Sequence, residues 1–323
     1  MIPPAASPDF LARNGWGGAA ILPLAGDASF RRYFRIVDAD RRAVLMDAPP
    51  PHEDPVPFLD VARWLNVHGF AAPVILAVDL ALGLVLIEDF GDIRMRETVD
   101  ADATRESALY AAAIDVLVDL HRHPAGNFPP YDHAVLRREA DLLVDWYCPA
   151  VGIDADIAGY HAAWDAVFDR ALSDRPVTVL RDYHAENLML LEGADRLGLL
   201  DFQDALAGHA AYDLVSLLQD ARRDVPPAIE AGMLARYLDR AKPAGDFDAA
   251  YHVLGAQRNA KIVGIFTRLW QRDGKPRYPS LCPRVWRYLE RDLAHPALAP
   301  VKAWFDVAIP PDKRGDPMAI GGK

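Results

Sequence analysis

The chain has 323 residues, 51% of them apolar and 25% charged, a globular composition that excludes long disorder and fibrous repeats. Thirty-five lysines and arginines stand against 46 aspartates and glutamates, a net charge of −11. That balance excludes a general nucleic-acid binder, which needs a cationic face, while leaving room for a local basic pocket. Cys148 and Cys282 are the only cysteines, too few for a disulfide framework or a cysteine zinc site, and they read as buried thiols. No run reaches the roughly 20 apolar residues that span a bilayer. Met1-Ile2-Pro3-Pro4 has neither the basic start nor the apolar core of a signal peptide. The expectation is a cytoplasmic protein with no membrane association, no nucleic acid and no obligate protein partner.

At roughly 150 residues per domain, the length suggests two lobes. The first ninety residues read as strands with one helix. Ala20–Leu24, Ala43–Ala48, Pro73–Asp79 and Gly83–Glu88 are short apolar runs, and Phe30–Val37 interleaves aromatic and basic residues, together the pattern of a small, mostly antiparallel sheet. Phe58–His68 has helical spacing and stops at Gly69. Beyond Phe90-Gly91 the patterns become helical, over Ala103–His121, Leu136–Tyr147 and Ile157–Leu172. Three short runs follow, Val177–Leu180, Asn187–Leu191 and Leu197–Leu200, too short for helices and suited to strands. From Tyr212 the patterns are helical again, and the Pro- and Gly-rich tail Pro310–Lys323 reads as loose. The expectation is an α+β fold with a small β-rich lobe over 1–90 and a larger, mainly helical lobe over 91–323. A cleft between two such lobes is a common ligand site.

Chemistry concentrates in Leu180-Arg181-Asp182-Tyr183-His184-Ala185-Glu186-Asn187 and in Leu200-Asp201-Phe202 at the end of the next apolar strand. An aspartate on a loop can accept the proton of an attacking hydroxyl. An asparagine five residues on and a second aspartate offer one neutral and one charged oxygen, which suits Mg2+ held together with substrate phosphates. Phosphoryl transfer needs little more than such positioning and charge neutralisation. Read as structure alone, the same residues would make polar turns.

This segment resembles the catalytic loop of the aminoglycoside phosphotransferase and choline kinase group, relatives of the protein kinases. The resemblance implies a bilobal protein-kinase-like fold using ATP and Mg2+. It makes Asp182 the catalytic aspartate, and Asn187 and Asp201 the metal ligands. Gly208-His209-Ala210-Ala211-Tyr212-Asp213-Leu214 resembles the group's Gly-x-x-x-x-Asp-Leu segment, which implies that Asp213 holds the loop from a helix start. Leu180 stands where the group usually has a histidine. Between two strand candidates, Gly26 and Ser29 are placed to close over phosphates. By the same resemblance, the Glu88 carbonyl and the Phe90 N–H would read the adenine.

The third strand departs from the kinase pattern. Its phosphate-binding lysine would fall at or near Met46, and no lysine precedes Lys242. Arg31, Arg32 and Arg35 follow the Gly26 turn, and alternation puts Arg31 and Arg35 on one face and Arg32 on the other. Arg31 or Arg32 is the candidate replacement; the other possibility is that all three form a solvated edge. Gly26–Arg35, Val44–Pro50 and Asp182–Leu188 together resemble the bacterial N-acetylmuramate/N-acetylglucosamine kinases. That resemblance implies a sugar substrate, phosphorylated at its anomeric hydroxyl in cell-wall recycling. Arg181, His184 and Glu186 on the loop are candidate sugar contacts. Arg258 and Asn259, in a helix expected to start near Gln257, are further ones, or else exposed polar residues. A kinase for an aminoglycoside or a choline-like alcohol, and a nucleotide-binding scaffold without turnover, stay open as alternatives.

Overall fold

The computed structural model describes residues 1–24, 31–173, 175–191 and 196–322. The strands are β1 (Ala20–Pro23), β2 (Arg32–Asp38), β3 (Arg41–Asp47), β4 (Ile75–Asp79), β5 (Leu84–Glu88), β6 (Val177–Val179), β7 (Leu188–Leu190), β8 (Leu197–Leu199) and β9 (Leu206–Gly208). The helices begin with α1 (Ser7–Arg13), α2 (Val56–Val67), α3 (Met95–Ala101), α4 (Glu106–Leu120), α5 (His133–Ala140), a single turn α6 (Cys148–Ala150) and α7 (Ile157–Asp165). They continue with α8 (Ala211–Leu218), α9 (Pro227–Ala241), α10 (Phe247–Gln271), α11 (Cys282–Leu293), α12 (Ala299–Ala308) and α13 (Pro317–Gly321). No helix among the described residues is long and apolar enough to cross a membrane.

The chain divides into two compact units, 1–106 with 185–205, and 107–184 with 206–323. The sequence suggests a single division at residue 90. The difference has a local cause: α3 and the β7–β8 ribbon pack with the sheet-bearing unit. Leu190 N donates to Ile93 O at 2.8 Å, and Leu199 N to Ala71 O at 2.8 Å. Neither contact leaves a trace in hydrophobic periodicity, because both are backbone bonds between distant segments.

In the first unit an antiparallel sheet runs in the order β1-β2-β3-β5-β4. Its alternation sorts the side chains. Phe34, Ile36, Ala43, Leu45, Leu84 and Leu86 share one face and bury against Phe10 and Leu11 of α1 and Trp16. Tyr33, Val44, Met46, Val85 and Ile87 occupy the other face, following the register Tyr33↔Met46 and Met46↔Val85. The helix α1 is absent from the sequence reading; its apolar face is only Phe10 and Leu11, too short to establish a period. Gly83 makes the turn into β5 with φ +68°, and a Cβ there would lie 2.0 Å from Ala48 O, so only glycine fits.

The second unit is built around α10, whose 25 residues are buried on nearly every side. Gly264 lets it approach closely: a Cβ at that position would lie 2.2 Å from the Leu142 backbone. The expected helix over 136–147 is α5 followed by a π-turn over Leu143–Tyr147. The expected one over 157–172 ends at Asp165 and continues as a 3-10 turn. The tail is not loose through Gly322. Tyr147 Oη donates to Lys313 O at 2.7 Å and accepts from Gly315 N at 2.8 Å, and Ile309 and Pro317 are buried. Proline and glycine there shape packed turns. Cys148 and Cys282 are free and buried, and burial pushes the Cys148 thiol up to about 12.

Candidate active site

In the helical unit, β6 delivers the chain into the loop Leu180–His184. Asp213, in the first turn of α8 and fully buried, accepts from Leu180 N at 2.7 Å and Arg181 N at 2.8 Å. Burial pushes its carboxyl up to about 7 against these two donors. Ser216, one turn further along α8, donates to Arg181 O at 2.9 Å. These bonds hold Arg181 at φ +69°, a conformation that costs a non-glycine residue about 1–2 kcal/mol. Strain of this kind in a fixed loop marks a site where side-chain aim matters.

The Arg181 side chain pairs with the buried Glu139 of α5. Lys261 of α10 donates to the same carboxylate at 2.9 Å, and the Tyr131 hydroxyl donates to it as well. Burial would raise Glu139, but Lys261, Arg181 and Tyr131 outweigh it and hold the carboxyl down at about 2. The half-buried Asp182 sits beside this network. Burial alone would raise its pKa; the charges of His184, Lys261, Arg258 and Arg181 bring it below the ordinary range. His184 is itself pushed down to about 4 by burial, so at neutral pH it is uncharged, and Lys261, Arg258 and Arg181 keep Asp182 ionised. An ionised carboxylate on a fixed loop is a proton acceptor.

The structure places the other candidate contacts of this unit inside it. His184 is 3% exposed, and its Nε2 meets Arg222 Nη1 at 3.2 Å. Arg258 is 4% exposed and donates to Ser216 Oγ at 2.8 Å. Asn259 is fully buried and donates to Gln219 Oε1 at 2.7 Å and Asp292 Oδ2 at 3.2 Å. The sequence reading starts this helix near Gln257 and puts these residues on a lining or exposed face. The helix starts ten residues earlier, and its polar residues are matched to polar partners on α5, α8 and α11. Periodicity treats such residues as surface because it cannot see the partner.

The sheet-bearing unit carries the other two residues of the motif. Asn187 Nδ2 lies 3.3 Å from Asp201 Oδ2, and Gln203 Nε2 donates to Asp201 Oδ1 at 2.8 Å. Leu200 N donates to Asn187 O at 3.0 Å and closes the β7–β8 ribbon beneath them. Asp201 is at φ +59°, and Phe202 stacks on Phe58 of α2 with ring centroids 5.2 Å apart. Among the described residues no group of three or more His, Cys, Asp and Glu could hold a metal ion. One carboxylate and one amide oxygen nevertheless fit Mg2+, which takes few protein ligands when phosphates supply the rest. Glu186 pairs with Arg96 of α3, which fixes the turn that carries Asn187.

Gly26 and Ser29 lie outside the described residues. Arg31 Nε donates to Glu53 Oε2 at 3.1 Å, and Arg32 Nε to Asp47 Oδ2 at 2.7 Å. Arg35 Nε donates to Asp89 Oδ2 at 2.6 Å and its Nη1 to Asp92 Oδ2 at 2.9 Å, which ties β2 to the segment after β5. The Glu88 carboxylate accepts from Val74 N at 3.2 Å, and half-buried Phe90 lies against Gly198. Glu139, Ser216, Glu53 and Arg96 are absent from the sequence reading. The one available signal was Arg181 itself, since an arginine beside a buried loop needs a carboxylate.

Residues 20–251 match the family described as "Phosphotransferase enzyme family". A protein of Caulobacter vibrioides named N-acetylmuramate/N-acetylglucosamine kinase is 40% identical, over 96% of this chain and 98% of its own. A Pseudomonas aeruginosa protein of the same name is 41% identical, over 90% of each chain. Among solved structures, a choline/ethanolamine kinase family protein from Mesorhizobium loti aligns with a TM-score of 0.64 at 17% identity, over 92% of this chain and 96% of that one. It shares the protein-kinase-like α+β fold. With the family match covering residues 20–251 and relatives of about 40% identity aligned over nearly the whole chain, the chain belongs to the phosphotransferase enzyme family.

Proposed function

We propose that this phosphotransferase uses ATP and Mg2+ to phosphorylate the anomeric hydroxyl of N-acetylmuramate or N-acetylglucosamine, giving the sugar 1-phosphate for reuse of cell-wall sugars. The observation that carries the chemistry is Asp182, kept ionised by Lys261, Arg258 and Arg181 and aimed by the bonds from Asp213. The anomeric hydroxyl is more acidic than an ordinary alcohol, so a carboxylate of modest basicity, held in its ionised form, suffices to accept its proton. The relatives' names support the sugar as substrate, since two proteins so named align over nearly the whole chain. The choline kinase likeness rests on fold alone and gives no weight to a choline-like substrate.

Asn187 and Asp201 would hold the metal, which when bound neutralises charge on the phosphates. Gln203 and the β7–β8 ribbon keep those two side chains in register. The backbone of Glu88 and Phe90 would take the adenine, with Arg35 fixing the segment that follows through Asp89 and Asp92. The retention of Asp182, Asn187 and Asp201 together supports turnover over a silent scaffold.

The test is phosphorus NMR of the products formed with ATP and magnesium from N-acetylmuramate, N-acetylglucosamine, choline and an aminoglycoside. The expected result is an anomeric phosphate on the two N-acetyl sugars. Phosphate on choline or the aminoglycoside, with none on the sugars, would overturn the substrate.

A further inference from the structure

With no lysine before Lys242, a kinase-like unit must take its phosphate-binding cation from elsewhere than the third strand. Met46, at or near the position of the third-strand lysine, faces Tyr33 directly across the β2–β3 ladder. Side chains directly opposite in an antiparallel pair lie on the same face. Arg32 is opposite Asp47, and this pair therefore lies on the other face, with Phe34 and Leu45. Asp47 is almost wholly buried, so Arg32 serves to neutralise it. Arg35 shares the face of Met46, but it is engaged by two carboxylates, Asp89 and Asp92, of the segment after β5.

Arg31 is different. It precedes Tyr33 by two residues and so continues the Met46 face. Its side chain is 13% exposed and pairs with Glu53, just before α2. Arg31 also hydrogen-bonds the Tyr33 hydroxyl, and that hydroxyl feels the charges of both Glu53 and Asp201. One guanidinium, one carboxylate and one phenol therefore gather in the sheet-bearing unit, with the phenol within electrostatic reach of the proposed metal ligand Asp201. A cation braced by a carboxylate at the start of the following helix reproduces the work of a lysine–glutamate pair with other residues. The planar guanidinium adds a fork that matches phosphate oxygens.

We propose that Arg31, braced by Glu53 and Tyr33, is the residue that binds the α- and β-phosphates of the nucleotide, in place of the third-strand lysine. Arg32 and Arg35 are structural. This rests on the nucleotide reading given above and deepens it. The glycine turn before Arg31 plays no part in the argument.

Calorimetry with magnesium-ADP and with adenosine separates the two. The proteins are the full-length parent, Arg31→Ala, Arg31→Lys and Arg32→Ala. Adenosine lacks the phosphates, so the ratio of the two affinities isolates the phosphate contact and is insensitive to general loss of fold. Arg31→Ala should weaken ADP by about 10- to 100-fold, the effect of one or two charge-assisted hydrogen bonds, with adenosine changed less than about two-fold. Arg31→Lys should regain part of the loss, and Arg32→Ala should leave the ratio in place. An unchanged ratio in Arg31→Ala, or a fall in the ratio confined to Arg32→Ala, would overturn the assignment. A parent that binds neither ligand would overturn the nucleotide reading itself.

Discussion

Asp213 is the residue whose replacement best tests how the loop is held. Its two carboxylate oxygens accept from Leu180 N and Arg181 N at 2.7 and 2.8 Å. At pH 8 and above, where a carboxyl raised to about 7 is ionised, each such bond to a charged group contributes about 1.5–3 kcal/mol. Asp213→Ala would strand both amides and lose about 3–6 kcal/mol; relaxation of Arg181 from its left-handed backbone returns about 1–2 kcal/mol of that. Asp213→Asn keeps one acceptor and turns its NH2 against the other amide, so it loses about half as much, 1.5–3 kcal/mol. Displacement of Asp182 by about 1 Å lowers kcat by about 100-fold. Urea unfolding and steady-state kinetics on the parent, Asn and Ala forms measure both. The order parent, Asn, Ala should hold for stability and for kcat. An Asn variant as stable and as active as the parent would refute the argument that this carboxylate aims the loop.

Two further outcomes follow from the packing of the helical unit. Glu139 is held at about 2 in the fold against an ordinary 4.5. A depressed carboxyl stabilises above its unfolded value, so about 3 kcal/mol should be present above pH 5 and lost as pH falls from about 4.5 to 2. Urea midpoints across that range should fall in the parent and flatten in Glu139→Gln. Gly264→Ala would drive a methyl into the Leu142 backbone, so it should lose about 1–3 kcal/mol by thermal unfolding, where a mid-helix alanine otherwise gains up to about 1 kcal/mol.

The five-stranded sheet was legible because its strands are short apolar or alternating runs bounded by turn residues, with Gly83 at the turn into β5. The spacing of Asp182, Asn187, Asp201 and Asp213 is a chemical pattern visible in the sequence, and the structure ties Asp213 to the loop of Asp182 and Asn187 to Asp201. What was not legible is pairing at a distance. Arg258 and Asn259 are polar and look like surface, yet they lie inside α10 because Ser216, Gln219 and Asp292 meet them. Glu186 reads as a substrate contact in a loop and is bound to Arg96. The tail reads as loose from its prolines and glycines, yet Tyr147 receives it. Alternation alone sorts Arg31 and Arg35 from Arg32, but it does not show the carboxylates that engage them, Glu53, Asp47, Asp89 and Asp92.

On this reading, Asp182 accepts the proton of the sugar hydroxyl. The most direct measurement compares kcat of Asp182→Asn with that of the parent on N-acetylglucosamine, alongside the affinities of both proteins for the sugar and for ADP. The expected result is a fall in kcat of about 100- to 10,000-fold with both affinities within about three-fold. A variant that turns over within about ten-fold of the parent, or whose loss of rate is matched by loss of sugar binding, would contradict it.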